Sequence, residues 1–194
     1  MKLSFALATV AGLASASPIN IAPPSLHAIE RRLVPQEHAH NFVNDLVRDS
    51  LGLNNPKNIV DPVFGLLGNA AAAAGAGSVT NLDCLKQETA DQAFTNAKAA
   101  GDLAGMAGAL MFQALERNTA GVGVKSVACT DAAVNPEIGA FAQHQDSASD
   151  GAAETNKAIA LELAKQLALI GADPLLALEA GTFAPGDVRF LFGY

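Results

Sequence analysis

The chain has 194 residues, half of them hydrophobic, which suits one domain of ordinary size and excludes disorder throughout. Twelve Lys and Arg stand against 19 Asp and Glu, a formal net charge of −7. Neither a nucleic acid nor an anionic membrane surface gains counterion release from such a chain.

Alanine supplies 40 residues and Trp is absent, so the core is expected to be built from small side chains, with Leu, Ile, Val and nine Phe filling between them.

Residues 1–16 read as a secretory signal peptide. Lys2 gives the positive start, residues 3–13 the apolar stretch, and Ala14-Ser15-Ala16 the small-residue pattern cleaved after Ala16. The apolar stretch is shorter than the ~20 residues that span a bilayer. Residues 17–32 end in Arg31-Arg32, where kexin-type processing is expected to release a mature chain from Leu33. Two solvated arginines in a flexible leader are the alternative. Processing removes Lys2, Arg31, Arg32 and Glu30, leaving 9 basic and 18 acidic residues and a net charge of −9.

Helix-start signals recur along the rest. Asn or Asp precedes Pro at Asn55-Pro56, Asp61-Pro62, Asn135-Pro136 and Asp173-Pro174, the cap followed by the first helical position. The first helix is expected over 36–51, burying Phe42 and Leu46 with Val43 and Val47. The second runs from 62 into the alanine tract 70–74. Residues 63–82 carry no charge, but alanine and glycine contribute little to membrane insertion, so no transmembrane helix is expected. The third and longest is expected over 82–117, with a capping box at Thr80-Asn81-Leu82-Asp83. Its Gly101, Gly105 and Gly108 each cost about 1 kcal/mol relative to Ala, which predicts either a neighbour needing the space or a break. Short helices follow Pro136, with Ile138 and Phe141, and Pro174. Between them a long helix over 152–170 carries Ile159, Leu163, Leu167 and Ile170 on one stripe. Gly171 and Gly181 sit where helices end. Residues 121–128, with Val122, Val124 and Val127, are the one strand-like segment, too isolated to build a sheet.

Cys84 and Cys129 are the two cysteines, and an even count in a secreted chain favours a disulfide. Closing a loop of this length stabilises a fold by about 4 kcal/mol in the chain-entropy model. The expected class is therefore all-α: a compact bundle of Ala-rich helices with one disulfide, forming a single domain over 33–187.

The chemical motifs are sparse. His38 and His40 form a His-x-His pair, but residues two apart on a helix diverge by ~200° and cannot share one metal there. His144 is the other histidine outside the leader. Solvated surface histidines are expected, and no metal or cofactor. Residues 146–151 resemble the start of a calcium loop, yet its third and twelfth ligand positions are Ala148 and Lys157. Ser78, in Gly75-Ala76-Gly77-Ser78-Val79, lacks the second glycine of a nucleophile elbow, and the same stretch lacks the Lys of a phosphate loop. There is no N-glycosylation sequon. No catalytic residue is expected.

Five segments carry a resemblance: Asn118-Thr119-Ala120-Gly121-Val122, Ser126-Val127-Ala128-Cys129, Asn135-Pro136-Glu137-Ile138, Gln143-His144-Gln145-Asp146 and Gly181-Thr182-Phe183-Ala184-Pro185-Gly186. Over 84–186, about half of the chain, the sequence resembles a group of small secreted proteins of filamentous ascomycete fungi, described as cell-wall or extracellular proteins of unassigned activity. The resemblance implies a compartment and an organism type, and it carries over no catalytic residue. In that group the chain continues past Ala-Pro-Gly into a tail with a second cysteine pair. Here residues 188–194 form an abrupt apolar ending, and codons for Val188-Arg189 can spell a fungal 5′ splice consensus. The expectation is that 188–194 are intron read-through, which sequencing the transcript tests.

The expected function is that of a secreted, non-enzymatic protein of the fungal cell surface or wall, contacting wall polysaccharide or another surface protein. Two alternatives stay open. One is a secreted effector or surface-active protein meeting hydrophobic interfaces, for which an exposed apolar patch would speak. The other is a small hydrolase with a carboxylate pair, which a deep pocket holding two close acids would support.

Overall fold

Helix α1 (Asn41–Leu53) opens the part of the chain described by the structure, residues 40–182 of a computed structural model. The leader with Ala16, Arg31, Arg32 and His38, and residues 183–194, lie outside the described residues. Val43, Val47, Ser50 and Leu51 form the buried stripe of α1 at helical spacing. Phe42 and Leu46 are half-buried beside it, so the stripe is rotated from its expected centre.

Asn55-Pro56 does not start a helix. The Asn55 side chain takes both backbone groups of Ile59, donating to its carbonyl at 2.8 Å and accepting its N–H at 3.1 Å. That clamp closes 55–59 as a turn. Asp61-Pro62 behaves as expected: Asp61 Oδ1 accepts the Val63 N–H at 2.9 Å and a 3-10 turn, Pro62–Leu66, follows. The expected continuous second helix is broken, because Leu67 and Gly68 are extended. The alanine tract then forms α2 (Asn69–Ala72) and a 3-10 turn, Ala73–Gly75.

The expected long helix over 82–117 is three pieces. A 3-10 turn, Leu82–Cys84, leads into α3 (Leu85–Ala100), and α4 (Leu103–Ala114) follows after a break. Gly101 takes a left-handed conformation, φ 68°, and the Asp102 N–H returns to the Ala97 carbonyl at 2.9 Å. The chain turns there, and α4 packs against α3 and α1. The capping box does not form: the turn starts one residue later, with Asn81 as its cap, and the Asp83 carboxylate accepts from Asn69 Nδ2 and Arg117 Nη1. Gly105 and Gly108 supply the close approach: a β-carbon on Gly105 would stand 2.5 Å from Ser50 Oγ, and one on Gly108 2.6 Å from Leu46 Cβ. Nearly every residue of α4 from Gly105 onward is buried, the mark of a central helix with no polar face.

After α4 the segment 121–128 is irregular, with Val122, Val124 and Val127 exposed. One helical turn, α5 (Pro136–Gly139), buries Ile138. Buried Asp91 on α3 holds its approach by accepting the N–H groups of Val134 and Asn135. Helix α6 (Ala152–Leu169) buries Ile159, Leu163 and Leu167 on the expected stripe, with Ile170 half-buried behind them. Gly171 ends it at φ 84°. The last element, Pro174–Ala180, is a 3-10 helix capped by Asp173 and packed on α6.

The fold is all-helical among the described residues, centred on Phe94, Phe112, Leu110, Met111 and Leu163. The disulfide forms as expected: Cys84 and Cys129 are bonded with their α-carbons 4.5 Å apart, tying the start of α3 to the segment after α4. No described helix is long and apolar enough to cross a membrane.

Candidate binding cleft

The disulfide pins residues 128–133 over α3 and α4, and a cleft of about 380 Å³ opens beside it. Gln87 of α3, Gln113 of α4, Cys129, Asp131, Phe141 and Gln143 line it, with alanines between them.

Gln113 is the unusual member. It stands in the apolar run Leu110-Met111-Phe112-Gln113-Ala114-Leu115 and is 2 % exposed. Its Nε2 donates to the Phe141 carbonyl at 3.2 Å, and its Oε1 is buried with no partner. A buried amide oxygen left unpaired costs about 1–3 kcal/mol. The Gln113 backbone carbonyl is satisfied, because Lys86 Nζ donates to it and to the Leu115 carbonyl at 2.7 Å. That lysine is fully buried at the C-terminal end of α4, where exposed carbonyls attract a cation. Burial first, and then repulsion from Arg117, hold its pKa well below the ordinary lysine value.

The other two glutamines commit their NH₂ groups in the same way. Gln87 Nε2 donates to the Asp131 carbonyl at 2.8 Å, and Gln143 Nε2 to the Val127 carbonyl at 2.8 Å and Ser126 Oγ at 3.0 Å. The exposed Asp131 carboxylate accepts one bond, from Asn81 Nδ2 at 3.2 Å. The lining therefore offers amide oxygens, the second N–H of Gln87 and of Gln113, and a carboxylate, and it contains no Lys, Arg, His, Ser or Thr. Asp131 is its one acid, so a two-acid arrangement does not sit here. Cys84 and Cys129 lie close to the Asp131 carboxylate. Their sulfurs are bonded to each other and carry no thiolate charge for a metal.

No family model matches this chain. No curated protein and no solved structure matches it either. The cleft is therefore read from its own donors and acceptors.

Sequence reasoning reached Cys84 and Cys129 and missed Gln113, whose signal was one polar residue inside an apolar helical run. The histidines also differ from expectation. His40 precedes α1 with its ring largely buried near the Gly181 carbonyl, and burial lowers its pKa. His144 is buried, its Nδ1 2.9 Å from the Ala180 carbonyl. Burial outweighs that carbonyl and, with repulsion from Lys86 and His40, brings the His144 pKa down to about 4. Both rings thus anchor the 180–182 segment and are not solvated surface groups. Glu116, nearby, has its pKa raised by burial and then by the Asp146 charge, with the Thr182 hydroxyl opposing. Asp146, from the calcium-like stretch, accepts the N–H groups of Gly123 and Ala148 and so closes a loop.

Proposed function

We propose that this chain is a secreted, non-enzymatic protein of the fungal cell surface or wall, and that it works by binding at the cleft beside the disulfide. The observation that carries the reading is the cleft itself: an open, polar space of about 380 Å³ lined by Gln87, Gln113, Gln143 and Asp131. Its side chains suit recognition, since none of them is a free nucleophile or an imidazole base. The disulfide supports an oxidising compartment, in keeping with the signal-like leader.

The test is sedimentation of the full secreted chain with purified fungal wall, chitin, β-glucan and hydrophobic beads. Retention on wall or on one polysaccharide is the expected result, and a protein that stays in solution throughout overturns the reading. A second reading rests on a separate observation. Leu161 and Leu169 of α6 and Leu175 and Leu178 of the following 3-10 helix are 64–69 % exposed, which suits a surface-active protein. Retention on the beads alone selects it.

A further inference from the structure

We infer that the Lys125–Ser126 peptide bond is a processing site for an endopeptidase of basic specificity, one whose pocket holds a carboxylate that pairs with a Lys or Arg side chain. Such an enzyme asks three things of its target: a basic side chain free to enter the pocket, a carbonyl free to be attacked, and neighbouring residues able to lie extended in its cleft. Residues 124–130 run without helix, turn or bend, and Lys125 is exposed among them. Val122 to Val124 before it, and Val127 and Ala128 after it, are exposed as well. Neither the ammonium group nor the backbone carbonyl of Lys125 has a partner among the described residues.

Every other described basic residue fails at least one of these requirements. Arg48, Lys98 and Lys165 lie in α1, α3 and α6 and pair with Asp61, Glu137 and Glu162. Lys157 is exposed but lies within α6, and a helix must open locally before it can enter a protease cleft. Lys57 pairs with Glu88, and its carbonyl accepts the Ser78 N–H at 2.8 Å and the Ser78 hydroxyl at 3.2 Å. Lys86 and Arg117 are buried.

The segment is tied to residues 143–146 through their side chains. Asp146 Oδ2 accepts the Gly123 N–H at 3.1 Å, Gln145 Oε1 accepts the Ser126 N–H at 2.8 Å, and Gln143 Nε2 donates to the Val127 carbonyl at 2.8 Å. No backbone ladder joins the two stretches among the described residues, so the segment lifts once three side-chain bonds open. Hydrolysis breaks the bond between the Lys125 carbonyl carbon and the Ser126 nitrogen. Water supplies the oxygen that makes Lys125 a carboxylate, and the Ser126 nitrogen leaves as an ammonium group. Gln145 holds that leaving nitrogen, so it is the tether that slows the cut.

Limited proteolysis of the full chain with trypsin at neutral pH tests this, with N-terminal sequencing and mass mapping of the reduced products. Among the described residues, the first cut is expected to expose Ser126-Val127-Ala128 as a new N-terminus. Lys125→Gln should abolish that cut and Lys125→Arg should keep it, and because Lys125 is exposed and unpaired both variants keep the fold. Gln145→Ala, checked by circular dichroism to be folded, should be cut about fivefold faster through loss of one hydrogen bond. A first cut after any other described Lys or Arg overturns the inference. So does a Lys125–Ser126 bond that is severed only under conditions where the whole chain unfolds. An unchanged rate in folded Gln145→Ala overturns the role of Gln145 as the tether.

Discussion

Gly108 of α4 lies so close beneath Leu46 of α1 that a β-carbon on the glycine would stand 2.6 Å from the leucine's own. Helices α1 and α4 are thus set at a spacing that a single methyl group disturbs. Gly108→Ala gains about 1 kcal/mol of helix propensity but forces apart two packed backbones, an overpacking cost of about 1–3 kcal/mol. Net destabilisation is expected. Gly52, also helical but exposed with nothing within 4 Å of its would-be β-carbon, is the control: Gly52→Ala should stabilise by about 0.5–1 kcal/mol. Urea midpoints of the two variants check the opposite signs, and equal effects would show that the crossing is looser than described.

Acid should destabilise the fold through the buried histidines. His144 titrates at about 4 when folded and near 6.5 when unfolded, so the unfolded chain takes up the proton first. Its contribution is complete above pH 6.5, falls as the pH drops towards 4, and flattens below. Roughly 3 kcal/mol is the upper size of the loss, and His40 acts in the same direction. Glu116, whose folded pKa is raised, opposes it. Urea unfolding measured across that window, for the wild type and for His144→Asn, tests the point. The variant should show the shallower slope, and a wild type with flat stability between pH 6.5 and 4 contradicts the burial of His144.

Asp91→Ala removes one carboxylate that accepts from Val134 N at 2.5 Å and Asn135 N at 2.9 Å, and that also receives the Asn135 side chain. Asn135 is buried, so its backbone N–H is left facing protein, while its side-chain NH₂ keeps the Asp91 backbone carbonyl and Thr95 Oγ1. A loss of about 2–4 kcal/mol is expected, beyond the usual effect of one hydrogen bond because two backbone N–H groups lose their partner together. Thermal unfolding gives the magnitude, and amide exchange should show faster opening at Val134 and Asn135 specifically.

Replacing both cysteines by alanine should cost about 4 kcal/mol, chiefly by freeing the unfolded chain. The same change unpins residues 128–133, so ligand retention at the cleft should fall even under conditions where the helices remain folded. Circular dichroism alongside the binding titration separates the two effects.

Much of this architecture was legible because single residues announce it. Proline at a first helical position with an acid before it located the turns at Asp61 and Asp173, and the spacing of Ile159, Leu163 and Leu167 located α6. The α3–α4 reversal was legible only in part: Gly101, Gly105 and Gly108 signalled a break or a close neighbour, but not which of them turns the chain. Alanine continues the small-residue stripe on both sides of Gly101, and periodicity alone cannot distinguish one long helix from two short ones joined by a left-handed glycine. Asn55 failed for a related reason: its side chain had two backbone partners at Ile59 in place of a helix to cap. The cleft was hidden because no local pattern in the sequence brings Gln87, Gln113 and Gln143 together. The tie from His144 to the 180–182 segment spans 36 residues, and no local pattern encodes it.

The Cys84–Cys129 bond also closes a covalent ring around the chain between its two ends, and the exposed stretch from Ala120 to Lys125 lies inside that ring. A protease that severs one peptide bond in this stretch therefore releases no fragment. The nicked molecule keeps its mass apart from one added water, migrates as a single species until a reductant is added, and keeps both halves of the cleft joined to each other. A cut in this exposed stretch thus leaves the two pieces covalently linked.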